Sequence, residues 1–332
     1  MHAPPSRQGA DLMAGLLRAA EAAAIDIMTN ATVTELFAND EGRVLGLALV
    51  RPDGSKEEIG CQALILACNG YGGNPAMVAD HIPEMVRAEY FGHPGNQGDA
   101  VNWGEALGAA AKHMTAYQGH GSVATPHGIL ITWAVMMNGG IQVNKLGQRF
   151  SNEHRGYSEQ AVDVLAQPDQ VAWAILDDRL LTLGHEFEEF NLAEAAGAVR
   201  HAKDVEDLSK IIDVPMAALQ KTLAETTAHA KGETTDTFGR DFTTQPALSP
   251  PYYAIRVTGA LFHTQGGLNI DPQARVLRPD GSALPNLYAG GGAACGLSGS
   301  QVWGYLSGNG LLTAVNLGRI AGQTATKFIK EG

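Results

Sequence analysis

Cysteine is scarce in this chain: 332 residues contain three, Cys61, Cys68 and Cys295. No pair has C-x-x-C spacing, and the odd count argues against a disulfide framework and for a reducing, cytoplasmic setting. C-x-x-C-H is absent, so the chain carries no c-type haem of its own. Long apolar runs are also missing. The longest, near residues 128–137, falls far short of the ~20 residues that span a bilayer. The opening Met1-His2-Ala3-Pro4-Pro5-Ser6-Arg7 holds no apolar signal core. Positive charge is in deficit, with 23 basic against 35 acidic residues and a net charge of −12. Nucleic acid and anionic membrane surfaces are therefore poor partners. The 11 histidines show no metal-ligand spacing with acidic or cysteine partners. No G-x-S-x-G elbow supports serine hydrolase chemistry. A dinucleotide fingerprint fails as well: Gly290-Gly291-Gly292 would need glycine at position 295, which is cysteine.

What is present is ordinary globular composition, 45% hydrophobic and 17% charged, long enough for two cores. The spacing of Leu12, Leu16, Leu17 and Ala20 predicts an amphipathic helix over residues 10–24, followed by a strand over 25–31. Three short strands follow at 33–37, 44–50 and 57–61, joined by turns at 39–42 and 52–55. The continuous apolar run of residues 63–68 predicts a strand buried on both faces, as in a parallel sheet. It stops at Asn69-Gly70-Tyr71-Gly72-Gly73-Asn74, where the chain must turn. Asp99 is expected to cap a helix to about residue 114. The middle region shows helical stretches at 158–167, 205–212 and 215–231, and a strand near 171–176. Glycine-rich α/β character returns after His263, with a strand at 286–289 and a last helix from Asn309 to about 329. This pattern implies an α/β domain built from residues 1–119 and 260–332, with residues 120–259 inserted as an α+β lid. Such a junction is where clefts form.

Three segments carry candidate chemistry. In Leu287-Tyr288-Ala289-Gly290-Gly291-Gly292 and onward through Gly304-Tyr305-Leu306-Ser307-Gly308-Asn309-Gly310-Leu311, a strand runs through bare backbone into a helix start. Glycine admits a flat or phosphorylated ligand to the main chain, and the helix start offers unpaired N–H groups with a partial positive charge. The same pattern also suits a plain strand-to-helix loop. In His263-Thr264-Gln265-Gly266-Gly267, His263 is able to donate to a carbonyl or an anion, or to serve as a structural histidine. In Gly147-Gln148-Arg149-Phe150-Ser151-Asn152-Glu153-His154-Arg155-Gly156-Tyr157-Ser158, polar side chains crowd one turn. Composition alone reads it as a solvated loop with Ser158 as a helix N-cap.

Taken in order, these segments resemble one family, the flavoproteins related to soluble fumarate reductase, urocanate reductase and 3-ketosteroid dehydrogenase. Residues 63–73 resemble its apolar strand and Ala-Thr-Gly-Gly-type turn. Residues 147–153 resemble its Gly-x-Arg-Phe-x-Asn-Glu segment, His263–Gly267 its His-Thr-x-Gly-Gly, and 287–312 its flavin-contacting loop and helix. The resemblance implies FAD as cofactor. It implies a two-dinucleotide-binding-type domain with an inserted capping domain, incomplete here because the glycine-rich N-terminal unit is not found. Cofactor contacts would fall on Asn69, Gly70, Gly72, Gly290, Gly291, Gly292, Gly308, Asn309 and Leu311.

The departures indicate the branch. The position of the fumarate reductases' proton-donating arginine is Tyr157, and the final loop, Ser300-Gln301-Val302-Trp303, has no arginine to clamp a carboxylate. Tyr157 and Tyr305-x-x-Gly308 are similar to the ketosteroid dehydrogenase pattern. The implied activity is desaturation of a ketone or reduction of an enone, on a small carbonyl substrate, with an electron donor or acceptor the sequence does not name. Tyr157 would move the proton, Tyr305 polarise the carbonyl and His263 position the substrate, with Arg155 as the alternative donor. The competing expectation is a non-catalytic remnant that does not hold FAD tightly by itself.

Overall fold

The computed structural model describes residues 9–331 and divides into two compact units between Gln62 and Ala63. In the first unit, helix α1 (Gly9–Ala22) precedes an antiparallel meander of β1 (Thr32–Ala38), β2 (Val44–Val50) and β3 (Lys56–Gly60). Asn39 Oδ1 accepts from the Glu41 and Arg43 N–H groups, and Asp53 Oδ1 from that of Ser55, which fixes both turns. The strand expected over residues 25–31 does not form. Ala24 and Asn30 take positive φ values of 53° each and bracket the segment with left-handed backbone, so Ile25, Ile27 and Met28 stay exposed.

The second unit opens with β4 (Leu64–Leu66), α2 (Pro75–His81), β5 (Glu89–Tyr90), α3 (Asp99–Ala106) and β6 (Ala111–Lys112). It continues through β7 (Tyr117–Ala124), β8 (Ile129–Leu130), α4 (Ala134–Met137), β9 (Ile141–Val143), α5 (Tyr157–Leu165) and β10 (Val171–Asp177). Then come α6 (Asp178–Gly184), α7 (Glu188–Ala195), β11 (Val199–Ala202), α8 (Val205–Ile212) and α9 (Met216–Ala230). The chain closes with β12 (Tyr252–Thr264), β13 (Gly267–Leu268), β14 (Arg275–Leu277), β15 (Ala283–Ala289) and α10 (Asn309–Glu331). No helix among the described residues is long and apolar enough to cross a membrane.

The apolar run around Leu64–Leu66 pairs in parallel with β15, Leu64 opposite Leu287, so the early and late parts of this unit share one three-stranded sheet. Burial on both faces is not what that run achieves: β4 lies at the sheet edge and Ile65 is 36% exposed. Helix α3 stops at Ala106, well before residue 114, because residues 111–112 are drawn into pairing with β13. Ser158 is not an N-cap. It lies inside α5, which Gly156 caps, and its Oγ accepts the Gly119 N–H at 2.8 Å.

Strand β12, 13 residues long, is the spine of the seven-stranded sheet. Residues 252–258 pair with β10, residues 252–255 also with β11, and residues 257–264 with β7. Alternation along β10 and β12 feeds two cores. Ala172, Ala174, Leu176, Ile255 and Val257 pack with Phe190, Leu180 and Met136 on one face. Trp173, Ile175, Tyr252 and Ala254 pack with Leu208, Ile212 and Leu219 on the other. With helices on both faces, residues 172–176 of β10 are all apolar.

One buried ionic cluster interrupts this apolar packing. The fully buried Glu153 carboxylate accepts from Arg149 Nε at 2.9 Å, Arg149 Nη2 at 2.7 Å, Arg240 Nη1 at 3.0 Å and the Gln142 N–H at 3.1 Å. Asp236 takes the remaining side of Arg149 at 2.8 Å. Burial alone would raise Glu153 and Asp236, but the guanidinium groups outweigh it and hold both carboxyls below their ordinary range. The Asn152–Gly156 turn, which leads directly into Tyr157, is therefore clamped from within.

Glu153→Gln leaves the buried Arg240 without its carboxylate partner and Arg149 with Asp236 alone. The expected loss is about 3–5 kcal/mol, read as a lower denaturant midpoint with little change in slope. The lowered carboxyls also set the acid limit. Their contribution is complete above about pH 5 and is lost as pH falls through the lowered native values. A pH series of melting temperatures checks this: the acid-side decline should be shallower in Glu153→Gln than in the wild type.

Candidate active site

Four rings stand in a column beside the end of β12. Phe91 stacks on Phe262 with centroids 4.8 Å apart, Phe262 on His120 at 5.5 Å, and His120 on Tyr157 at 4.9 Å. Each successive pair is within about 20° of parallel, as offset aromatic contacts prefer. His120 comes from β7, Phe262 from β12 and Tyr157 from the first residue of α5, so the sheet and the clamped turn together build the column. His120 is buried, its Nδ1 accepts the Ser122 N–H at 3.2 Å, and the ring proton is therefore on Nε2. Burial pushes its pKa down to about 3, so the ring is neutral. Beside the column lies a cavity of about 340 Å³, lined by Gln118, Thr132, Trp133 and Phe187 together with His120 and Tyr157.

Tyr157 also reaches the loop before α10. Its hydroxyl is 2.9 Å from Ser307 Oγ, and its ring meets Tyr305 edge-on at 6.0 Å. Burial, reinforced by Tyr157, raises the Tyr305 pKa, so Tyr305 remains a neutral hydroxyl donor across the physiological range. His263 meets the Tyr305 ring edge-on at 6.1 Å, and burial lowers its pKa. Its Nδ1 lies 3.2 Å from Gln265 Nε2. Gln265 Oε1 in turn accepts from Ser298 Oγ at 3.2 Å, and Ser298 Oγ accepts from Asn309 Nδ2 at 3.3 Å. This chain of side chains, with Gln265, Ser298 and Asn309 all buried, ties β12 to the start of α10. Tyr157, Tyr305 and His263 thus come together. Arg155 takes no part: it is half exposed and paired with Asp163 on α5.

The glycine-rich turns meet each other. Asn69 adopts a left-handed φ of 66°. A Cβ on Gly70 would lie 2.0 Å from Thr264 Oγ1, and one on Gly292 would lie 2.0 Å from Asn69 Oδ1. These glycines serve close packing of the two turns. Gly72 does the same against the Tyr90 ring, and Gly290 against the α10 backbone at Gly318. Gly291 and Gly308 take positive φ values of 59° and 90° and shape the loop.

The helix start is different. Asn309 N–H bonds to the Leu306 carbonyl and Leu312 N–H to the Gly308 carbonyl, while the N–H groups of Gly310 and Leu311 find no protein acceptor among the described residues. Around them Leu297, Trp303, Leu306, Leu311, Leu312 and Val315 are largely exposed. Two adjacent free donors at the positive end of a 23-residue helix, set in apolar surface, fit the carbonyl edge of a flavin ring.

His120, Phe262 and Ser307 escaped the sequence reading. His120 carries no motif, since a lone histidine in an apolar strand looks structural. Ser307 does have a signal, its place two residues after Tyr305.

A family model described as a FAD binding domain matches residues 1–311. A fumarate reductase (cytochrome) of Shewanella frigidimarina is 30% identical over 308 residues, covering 92% of this chain and 53% of its own length. The open conformation of a flavocytochrome c3 fumarate reductase superposes with a TM-score of 0.80 at 30% identity, over 99% of this chain and 57% of that one. A 3-ketosteroid-Δ4-(5α)-dehydrogenase from Rhodococcus jostii RHA1 gives 0.70 at 25% identity, over 95% and 63%. The chain spans about half the length of the curated relatives it matches. On the extent of the family match and the agreement of fold, the chain belongs to the FAD-binding flavoprotein family of the fumarate reductases, urocanate reductases and 3-ketosteroid dehydrogenases.

Proposed function

We propose that this protein is an FAD-dependent oxidoreductase acting on a carbon–carbon bond next to a carbonyl, desaturating a ketone or reducing an enone. The observation that carries the reading is the meeting of Tyr157, Ser307 and Tyr305 beside the cavity and the free N–H groups of α10. The relatives' names support the wider class, since they reduce fumarate or urocanate or dehydrogenate ketosteroids. The cavity's lack of a cation supports the narrower one. Among the described residues lining it there is no arginine or lysine to clamp a carboxylate.

FAD, when bound, supplies the two-electron exchange with the substrate carbon. The protein's own part is proton traffic and charge stabilisation. Tyr157 gives or takes the proton at the neighbouring carbon, and Ser307, exposed and 2.9 Å away, passes it to or from solvent. Tyr305, kept protonated by its raised pKa, donates to the carbonyl oxygen as negative charge develops there. His263 holds Tyr305 from the side and is itself set by Gln265. Gly310 and Leu311 N–H groups, with Gly308 and Asn309 shaping the helix start, receive the flavin. The turns at Asn69, Gly70 and Gly72 and at Gly290–Gly292 hold the two sides of its bed together. Residues 120–259 are read as the capping segment, and residues 1–119 and 260–332 as the flavin-binding segments.

Tyr157→Phe removes one hydroxyl and keeps the ring column. Turnover with a supplied ketone should fall about 100-fold or more, with FAD binding unchanged. Ser307→Ala should slow turnover less, and Arg155→Ala little. Near-full activity in Tyr157→Phe with abolished activity in Arg155→Ala would reverse the assignment.

A further inference from the structure

The cavity beside Tyr157 has one ionisable acid in its wall. Glu189 stands in the first turn of α7, partly buried, and its carboxylate has no hydrogen-bond or ion-pair partner among the described residues. No lysine or arginine lines the cavity among those residues, and its one histidine, His120, is neutral. The side-chain amide of Gln118 is also without a described partner. The rest of the wall is largely aromatic, with Trp133, Phe187, Phe262 and Tyr157.

These surroundings treat the two signs of charge differently. A substrate carboxylate entering this space meets Glu189 with no cation to offset the repulsion. An ammonium meets the same carboxylate and, in addition, ring faces that attract cations. Low-dielectric walls strengthen both effects relative to open water.

We propose that Glu189 sets the charge selectivity of this cavity, so that it takes ketones whose second substituent is a protonated amine and turns away those bearing a carboxylate. The inference rests on reading the cavity as the ketone site, and it adds a specificity residue on α7, away from the proton-transfer group.

Three cyclohexanones of similar size serve as probes: 4-(dimethylamino)cyclohexanone, 4-hydroxycyclohexanone and 4-oxocyclohexanecarboxylate. Their equilibrium binding is measured by calorimetry on the full chain with FAD supplied, for the wild type, Glu189→Gln and the neighbouring control Glu188→Gln. The amine should bind about tenfold more tightly than the carboxylate, with the hydroxyl compound between them. Glu189→Gln should bring the three within about twofold, while Glu188→Gln keeps the order. The proposal is overturned if the wild type binds the carboxylate as tightly as the amine, if the order survives Glu189→Gln, or if no probe binds. Turnover of the hydroxyl ketone is followed separately. Charge-ordered binding without turnover supports the role of Glu189 and counts against the oxidoreductase reading, whereas turnover without charge order does the reverse.

Discussion

Strand β12 is hydrogen-bonded along both edges, and most of what the second unit does depends on that constraint. Its first half is held between β10 and β11, its second between β7 and β5. A strand paired on both sides has no freedom to slip, because a one-residue shift would turn every apolar side chain to the wrong core. That fixes Phe262 against His120 and His263 against Tyr305. The proposed site thus lies at the end of a strand restrained on both edges.

The second restraint is electrostatic and lies under the other half of the site. Tyr157 opens α5 immediately after a turn whose Glu153 is held by Arg149 and Arg240 and by the Gln142 N–H. A buried cluster of this kind gives little net stability against an apolar replacement, yet it is costly to break. Its value here is geometric. Four charged groups with fixed hydrogen bonds admit few alternative arrangements, and the turn leading to Tyr157 inherits that definition. Rigid support of this sort holds side chains within hydrogen-bond reach of their partners, as between Tyr157 and Ser307.

Around Tyr157 the site offers neutral donors and no free cation among the cavity's described lining residues. His120 is uncharged through burial, Tyr305 is held protonated, and the guanidinium groups of the Arg149–Glu153 cluster are committed to carboxylates. Charge that develops on a substrate oxygen would therefore meet hydroxyl and N–H donors, and in such surroundings these act more strongly than in water. The carbonyl substrate proposed above is consistent with such an arrangement.

Much of this was written in the chain. Continuous apolarity around Leu64–Leu66 and Leu287–Ala289 named two strands that do pair, and the ordered motifs named the family and brought Tyr157, Tyr305 and His263 forward. Local signals of that kind report on residues near one another in sequence. They misread residues 25–31, where two left-handed positions override apolar propensity, and Ser158, whose hydroxyl serves β7 in place of its own helix. Only the tertiary structure decided that His120 joins the column, that Ser307 meets Tyr157 across 150 positions of sequence, and that Gly70 and Gly292 bind turn to turn. Those contacts arise from strand pairing and core packing between distant segments, so no window of sequence contains them.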